Sequence, residues 1–333
     1  MGELPSMTIA QLAEQAGTDV AAARAFWRAM GFANVADDEV KFVSEDVDTL
    51  RAWTEMVESE DLDERTMLSL IRAQSHNLER QVLWQLEATI EYMTRRHKLD
   101  DTAARIIFLD QLPERSGFLL SQLSYAWRRQ AVDLTERTVA ELAERTEQPR
   151  AGEVLPVPRA LGFVDMVQFT SRVRQLESRE LVDLVQGFEM TTRDVISANG
   201  ARVVKTVGDA VLYVAEDLLT AAKVALAMIH AISANPSLLP VRASLVWGRV
   251  ISRSGDIFGP AVNLASRLID IAPRDTVYMD EGTAALLAKH PSAADFNQIR
   301  RPIARVPGIG EIRPIELKWA VTPSPGEIWM PNG

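Results

Sequence analysis

The sequence predicts an α+β protein. An all-α N-terminal domain spans residues 1–152, and a domain of ferredoxin-like βαββαβ order spans residues 153–333. Three observations predict this. In the first half, apolar residues recur at spacings of three and four, the helical period. From residue 160, short apolar strand-like runs alternate with helical stretches. Between them lies Glu147-Gln148-Pro149-Arg150-Ala151-Gly152-Glu153, with Pro156 and Pro158 beyond it, and this is the composition of a linker.

In chain order, Thr8 caps the run Ile9 to Ala16, which stops at Gly17. Val20 to Met30 follows and stops at Gly31. Over residues 8–53 this helix, glycine turn and helix pattern resembles a helix-turn-helix, with Arg24 and Arg28 on the second helix. A small helical bundle without nucleic acid is the plainer reading and agrees better with the segment's acidity. Residues 60–148 read as helical almost throughout. Leu68, Ile71, Leu78, Val82, Leu86, Ile90 and Met93 form one apolar series. Leu119, Leu123, Ala126, Trp127, Ala131, Leu134, Val139 and Leu142 form a second, packed within the chain or against another subunit. Trp27, Trp84 and Trp127 read as core residues.

The second half opens with a strand over Ala160 to Val167. A helix over Glu177 to Ala198 stops at Asn199-Gly200. Arg202 to Thr206 and Ala210 to Ala215 read as a hairpin turning at Gly208-Asp209. Asp217 to Ala234 is helical and Val241 to Val250 is a strand, which completes the βαββαβ order. A helix from Pro260 to Ile271 begins with proline, whose fixed φ suits a first turn.

The chain has 333 residues and no cysteine, so disulfides, thiolate metal sites and cysteine nucleophiles are excluded. The N-terminus lacks a signal-peptide pattern, and no stretch of about 18 apolar residues offers a membrane span. A soluble, cytoplasmic protein is expected. The net charge is −10. Residues 1–65 hold 15 acidic and 5 basic residues, so the whole excess lies in the first fifth of the chain. Such a segment repels nucleic acid and anionic lipid.

Two carboxylates direct the functional reading. Asp165 ends an apolar strand, and Asp209 sits at the tip of the hairpin. If these strands are neighbours, both carboxylates can face one divalent metal. Asn263 and Arg267 lie four apart on the later helix and share a face. Two acids, an amide and a guanidinium are the parts that chemistry at a nucleotide phosphate requires.

Three runs carry a resemblance: Phe163-Val164-Asp165-Met166-Val167-Gln168-Phe169-Thr170; Lys205-Thr206-Val207-Gly208-Asp209; and Asp256-Ile257-Phe258-Gly259 with Val262-Asn263-Leu264-Ala265-Ser266-Arg267. In this order and spacing they resemble the class III adenylyl cyclase catalytic domain over residues 158–320. The resemblance implies that Asp165, Asp209 and the main-chain oxygen of Met166 bind two divalent ions, Mg²⁺ or Mn²⁺. It implies that Lys205 and Asp256 read adenine, which favours ATP over GTP. Asn263 orients the ribose, Arg267 is the transition-state arginine and Arg242 contacts phosphate. The family pairs two catalytic domains head to tail, which implies a homodimer with two shared sites.

Three positions depart from the pattern. Gln168 stands where the family usually has Gly, and Ser244 replaces a Gly after Arg242. Ile309 occupies the place of a phosphate-binding Lys, leaving Arg305 or Arg313 to supply charge. The helical first half is similar to the regulatory domain of the soluble actinobacterial type, through Leu12-Ala13-Glu14 and Phe26-Trp27-Arg28-Ala29-Met30-Gly31-Phe32. The regulatory ligand is not identified by the sequence. His76 and His97 fall in amphipathic helical segments, so a pH switch and a passive dimerisation module both stay open. Two other classes are a catalytically silent cyclase-fold regulator and a helix-turn-helix DNA-binding regulator.

Overall fold

The computed structural model describes residues 3–59, 62–144 and 156–323. The chain divides into two compact units, Met1–Thr146 and Glu147–Gly333, six residues before the expected boundary. The expected linker, Glu147 to Glu153, lies outside the described residues.

The first unit is helical. Helix α1 (Ile9–Ala16) starts with a capping box, in which the Thr8 hydroxyl accepts from the Gln11 N–H and the Gln11 amide oxygen accepts from the Thr8 N–H. Gly17 closes it at φ 75°, a left-handed stop. Helices α2 (Val20–Ala29) and α3 (Ser44–Glu58) follow. Ile9, Leu12, Phe26, Trp27, Phe42 and Leu50 form their shared core, which Met67 and Ile71 of helix α4 (Glu64–His97) complete. Arg24 is engaged inside this bundle, donating to the Val35 carbonyl at 2.7 Å and pairing with Asp37. Helix α5 (Asp101–Glu144) turns back on α4 at a corner packed by Ile90, Met93 and Ala104. Beyond Phe108, none of its described residues is buried, so Trp127, like Trp84 on α4, is exposed and not in the core as expected, whereas Trp27 is buried.

The second unit is built on one mixed sheet. Its strands are β1 (Val157–Met166), β2 (Arg202–Val207), β3 (Ala210–Ala215), β4 (Val241–Arg253), β5 (Asp256–Phe258), β6 (Val277–Met279), β7 (Phe296–Arg300) and β10 (Ile315–Trp319). They run in the order β2-β3-β1-β4-β6-β10-β7, with β5 paired to β4. The first four give the ferredoxin-like arrangement, in which β1 lies between β3 and β4. Strands β8 (Ala304–Val306) and β9 (Gly310–Ile312) form a separate hairpin.

Alternation along β3 shows how both faces are used. Val211, Tyr213 and Ala215 join the core under helices α7 (Ser178–Ala198) and α8 (Leu218–Ser233). Leu212 and Val214 join the opposite core, capped by Ala261, Ala265 and Leu268 of helix α9 (Pro260–Ile271). A short helix α6 (Phe169–Val173) follows β1, and α10 (Glu281–Leu287) follows β6.

Strands β1 and β4 approach closely at Gly162. A Cβ there would stand 1.9 Å from the Ser244 carbonyl oxygen and 2.7 Å from the Tyr213 hydroxyl. One residue on, the Phe163 N–H donates to the buried Ser244 hydroxyl at 3.1 Å. Ser244 thereby satisfies a backbone donor within the β1–β4 pairing, which gives this departure from the family pattern a structural role.

Candidate active site

Strand register brings the candidate metal carboxylates to one end of the sheet. Asp165 pairs with Ala210 across β1 and β3. The β2–β3 hairpin turns in two residues, with Gly208 at φ 61°, a value that glycine adopts without a Cβ clash. Asp209 follows at once, and its carbonyl accepts from the Met166 N–H at 3.1 Å. Asp165, Met166 and Asp209 are therefore neighbours. The Met166 side chain is buried in the core, which fixes the backbone between the two acids. Gln168, just beyond, holds φ 64°, a left-handed value that explains why glycine is common there in the family resembled.

Asp165 faces a cation within its own chain. It lies opposite Arg242 across β1 and β4. Arg242 donates to Asp165 Oδ2 through Nε at 2.9 Å, and its Nη2 lies 2.8 Å from the same oxygen. Its Nη1 donates to the Asp270 carbonyl at 3.0 Å. Burial pushes the Asp165 carboxyl above the usual aspartate range. Arg242 pulls it back in part, and the charges of Asp209 and Asp270 add to the rise.

Lys205 and Asp256 meet at 2.6 Å, although 51 residues separate them. A one-residue irregularity between Val203 and Lys205 re-aims the side chains of β2, as bulges do beside functional sites. Asp256 begins β5, which doubles back on β4, and its Oδ1 accepts from the Ile257 N–H at 2.8 Å. Both side chains are partly exposed, so the pair adds little stability and chiefly places a donor beside an acceptor.

Asn263 and Arg267 project from the exposed face of α9, while Ala261, Ala265, Leu268 and Ile269 bury the other face. Arg267 lies 3.4 Å from the Asp270 carboxylate. In the β8–β9 hairpin, Arg305 and Ile309 line one hollow, with Ile309 at the turn. Asp270 is the residue that sequence reasoning missed. Its carbonyl takes Arg242 and its carboxylate takes Arg267. Its spacing of three from Arg267 was the available signal.

The donor set suits a hard divalent cation. Two carboxylates and a carbonyl supply only oxygen, and Mg²⁺ and Mn²⁺ prefer oxygen. Among the described residues, no three His, Asp or Glu side chains form a cage. An ion here would keep room for water or substrate phosphate, as Mg²⁺ commonly does.

Residues 159–317 match the adenylate and guanylate cyclase catalytic domain family. An adenylate cyclase of Glutamicibacter nicotianae is 38% identical over 314 residues, which covers 92% of this chain and 77% of the relative. The chain belongs to the class III adenylyl cyclase family. An adenylate cyclase of Streptomyces coelicolor is 37% identical over 284 residues, 84% of this chain and 71% of the relative. One of Streptomyces griseus is 36% identical over 289 residues, 86% and 69%. These matches extend well beyond the catalytic fold and into the helical unit. Class III cyclases use divalent metal ions. Among the described residues, no helix of this family member is long and apolar enough to cross a membrane.

Proposed function

We propose that this chain converts ATP to 3′,5′-cyclic AMP and pyrophosphate, in the cytoplasm, as a homodimer with two shared active sites. The observation that carries the reading is the meeting of Asp165 and Asp209 at adjacent strand ends. The 3′-oxygen bonds to the α-phosphorus, the bond from that phosphorus to the bridging oxygen breaks, and the hydroxyl proton passes to solvent. Asp165, Asp209 and the Met166 carbonyl would hold two Mg²⁺ or Mn²⁺ ions. Bound there, the ions supply charge that acidifies the 3′-hydroxyl and offsets the phosphate oxygens. Asn263 orients the ribose. Arg267 stabilises the charge that grows on the α-phosphoryl group. Arg242 contacts phosphate.

Lys205 and Asp256 select the base. Adenine presents an accepting ring nitrogen beside a donating amine. Guanine presents a donating ring N–H beside an accepting oxygen, the opposite order. A site built for one order leaves groups unpaired with the other, at about 1–3 kcal/mol each.

Two features support the shared site. Among the described residues, Arg267 pairs with its helix neighbour Asp270 alone, in an exposed pair that a substrate phosphate can replace. Helix α5 carries Leu109, Leu120, Trp127 and Leu134 along one side, each at least 59% exposed, an apolar surface that favours a protein partner. The helical unit is read as a regulatory and dimerisation domain. His76 and His97 are both exposed on α4, which favours the passive module over the pH switch.

The test is product analysis of the purified chain with Mn²⁺ and either ATP or GTP. Cyclic AMP should form from ATP in clear excess. Exchanging Lys205 and Asp256 for residues that read guanine should lower ATP use and raise relative GTP use by 10-fold or more, as about 1.4 kcal/mol per decade implies. An unchanged ATP/GTP ratio would refute their role.

A further inference from the structure

We propose that Arg242 is the resident counter-ion of Asp165. Its guanidinium occupies Oδ2, one of the two carboxylate oxygens open to a divalent cation, and a cation that takes this oxygen displaces it. The proposal rests on the reading of Asp165 and Asp209 as metal ligands, and adds a competitor within the same chain.

The pairing is fixed by strand register, because Asp165 and Arg242 stand directly opposite on β1 and β4. It is not a loose surface contact. The Asp165 side chain is 14% exposed and that of Arg242 27%. Two guanidinium nitrogens converge on one oxygen, Oδ2, at 2.9 and 2.8 Å. A cation that takes this oxygen at metal–oxygen distance leaves no room for both N–H groups.

The need for a counter-ion follows from burial. Asp165 is largely withdrawn from water, with Asp209 beside it. An unpaired buried carboxylate is costly, and a second acid raises the cost. Arg242 offsets part of that cost before the metal arrives. Its third contact, Nη1 to the Asp270 carbonyl at the end of α9, remains available as a pivot when Asp165 is taken. From that pivot the freed guanidinium N–H groups can turn to an incoming phosphate. Arg242 is thus a positioning residue for Asp165 in one state and a phosphate contact in the other. The exchange also links metal loading to α9, which carries Asn263 and Arg267.

The test is Mn²⁺ binding to the full chain without nucleotide, by calorimetry at constant pH, on folded protein checked by thermal melting. Arg242→Gln should bind Mn²⁺ roughly tenfold more tightly than wild type, the removal of about 1.4 kcal/mol of competition. Arg242→Lys, which keeps the charge, should restore the weaker binding. Equal or weaker binding by Arg242→Gln would overturn the proposal, because Arg242 would then support Asp165 beside the metal. Asp165→Asn and Asp209→Asn report on the metal site itself. If neither weakens Mn²⁺ binding, the site reading fails and the proposal with it. If both do while Arg242→Gln binds no tighter, only the proposal fails. Should Arg242→Gln not fold, the Arg242 Nε–H signal in wild type decides, identified by its loss in Arg242→Lys. Its proton should exchange faster on Mg²⁺ addition, and an unmoved signal would overturn the displacement.

Discussion

At the residue scale, Asp165 joins two demands that oppose each other. In its proposed role as a metal ligand it must be ionised to hold a cation, yet burial favours its neutral form. Its folded pKa stands above the ordinary value, so the folded chain holds that proton more tightly than the unfolded chain. The resulting stability is complete below the unfolded pKa of about 3.9 and is lost as pH rises through the folded one. Asp165→Asn mimics the neutral form and does not titrate. Without metal, the variant's melting temperature should therefore rise relative to wild type as pH increases from about 4 to 7. A difference that stays level, or reverses, would mean that Arg242 outweighs burial.

At the element scale, local chemistry set the boundaries that the sequence disclosed. Thr8 and Gly17 bracket α1, Asp217 caps α8 and Pro260 opens α9. The β2–β3 turn was legible from Gly208-Asp209 for the same reason. Long-range pairing was not legible. The irregularity at Val203/Lys205 leaves no local mark, whereas the return of β5 along β4 is marked by the two-residue turn Ser254-Gly255, at φ 54° and 77°; together they bring Lys205 to Asp256. The pairing of β6, β7 and β10 beyond β4 was equally hidden, because short strands carry little periodicity. The tight β1–β4 crossing gives an element-scale prediction. Gly162→Ala must push a Cβ against the Ser244 backbone, and backbone cannot swing aside as a side chain can. The variant should lose on the order of 3 kcal/mol in denaturant unfolding. A loss below about 0.5 kcal/mol would show that the strands separate freely.

At the scale of the whole molecule, two compact units raise the question of what the first does for the second. The catalytic unit has its own cores on both faces of its sheet. The helical unit leaves most of α5 exposed, a surface that a dimer would cover. If the helices regulate, residues 153–333 alone should turn over ATP at a rate that differs from the full chain, or with a different pH profile. Identical rate and profile in a dimeric truncation would remove regulation and leave a passive module. The central claim, a cyclase site assembled from two chains, is tested most directly by complementation. Asp165→Ala and Arg267→Ala chains should each be nearly inactive alone. In the mixture, half of the dimers are heterodimers with one intact site of two, so cyclic AMP formation should return to about a quarter of wild type. Heterodimers shown to form, yet without activity, would contradict the account.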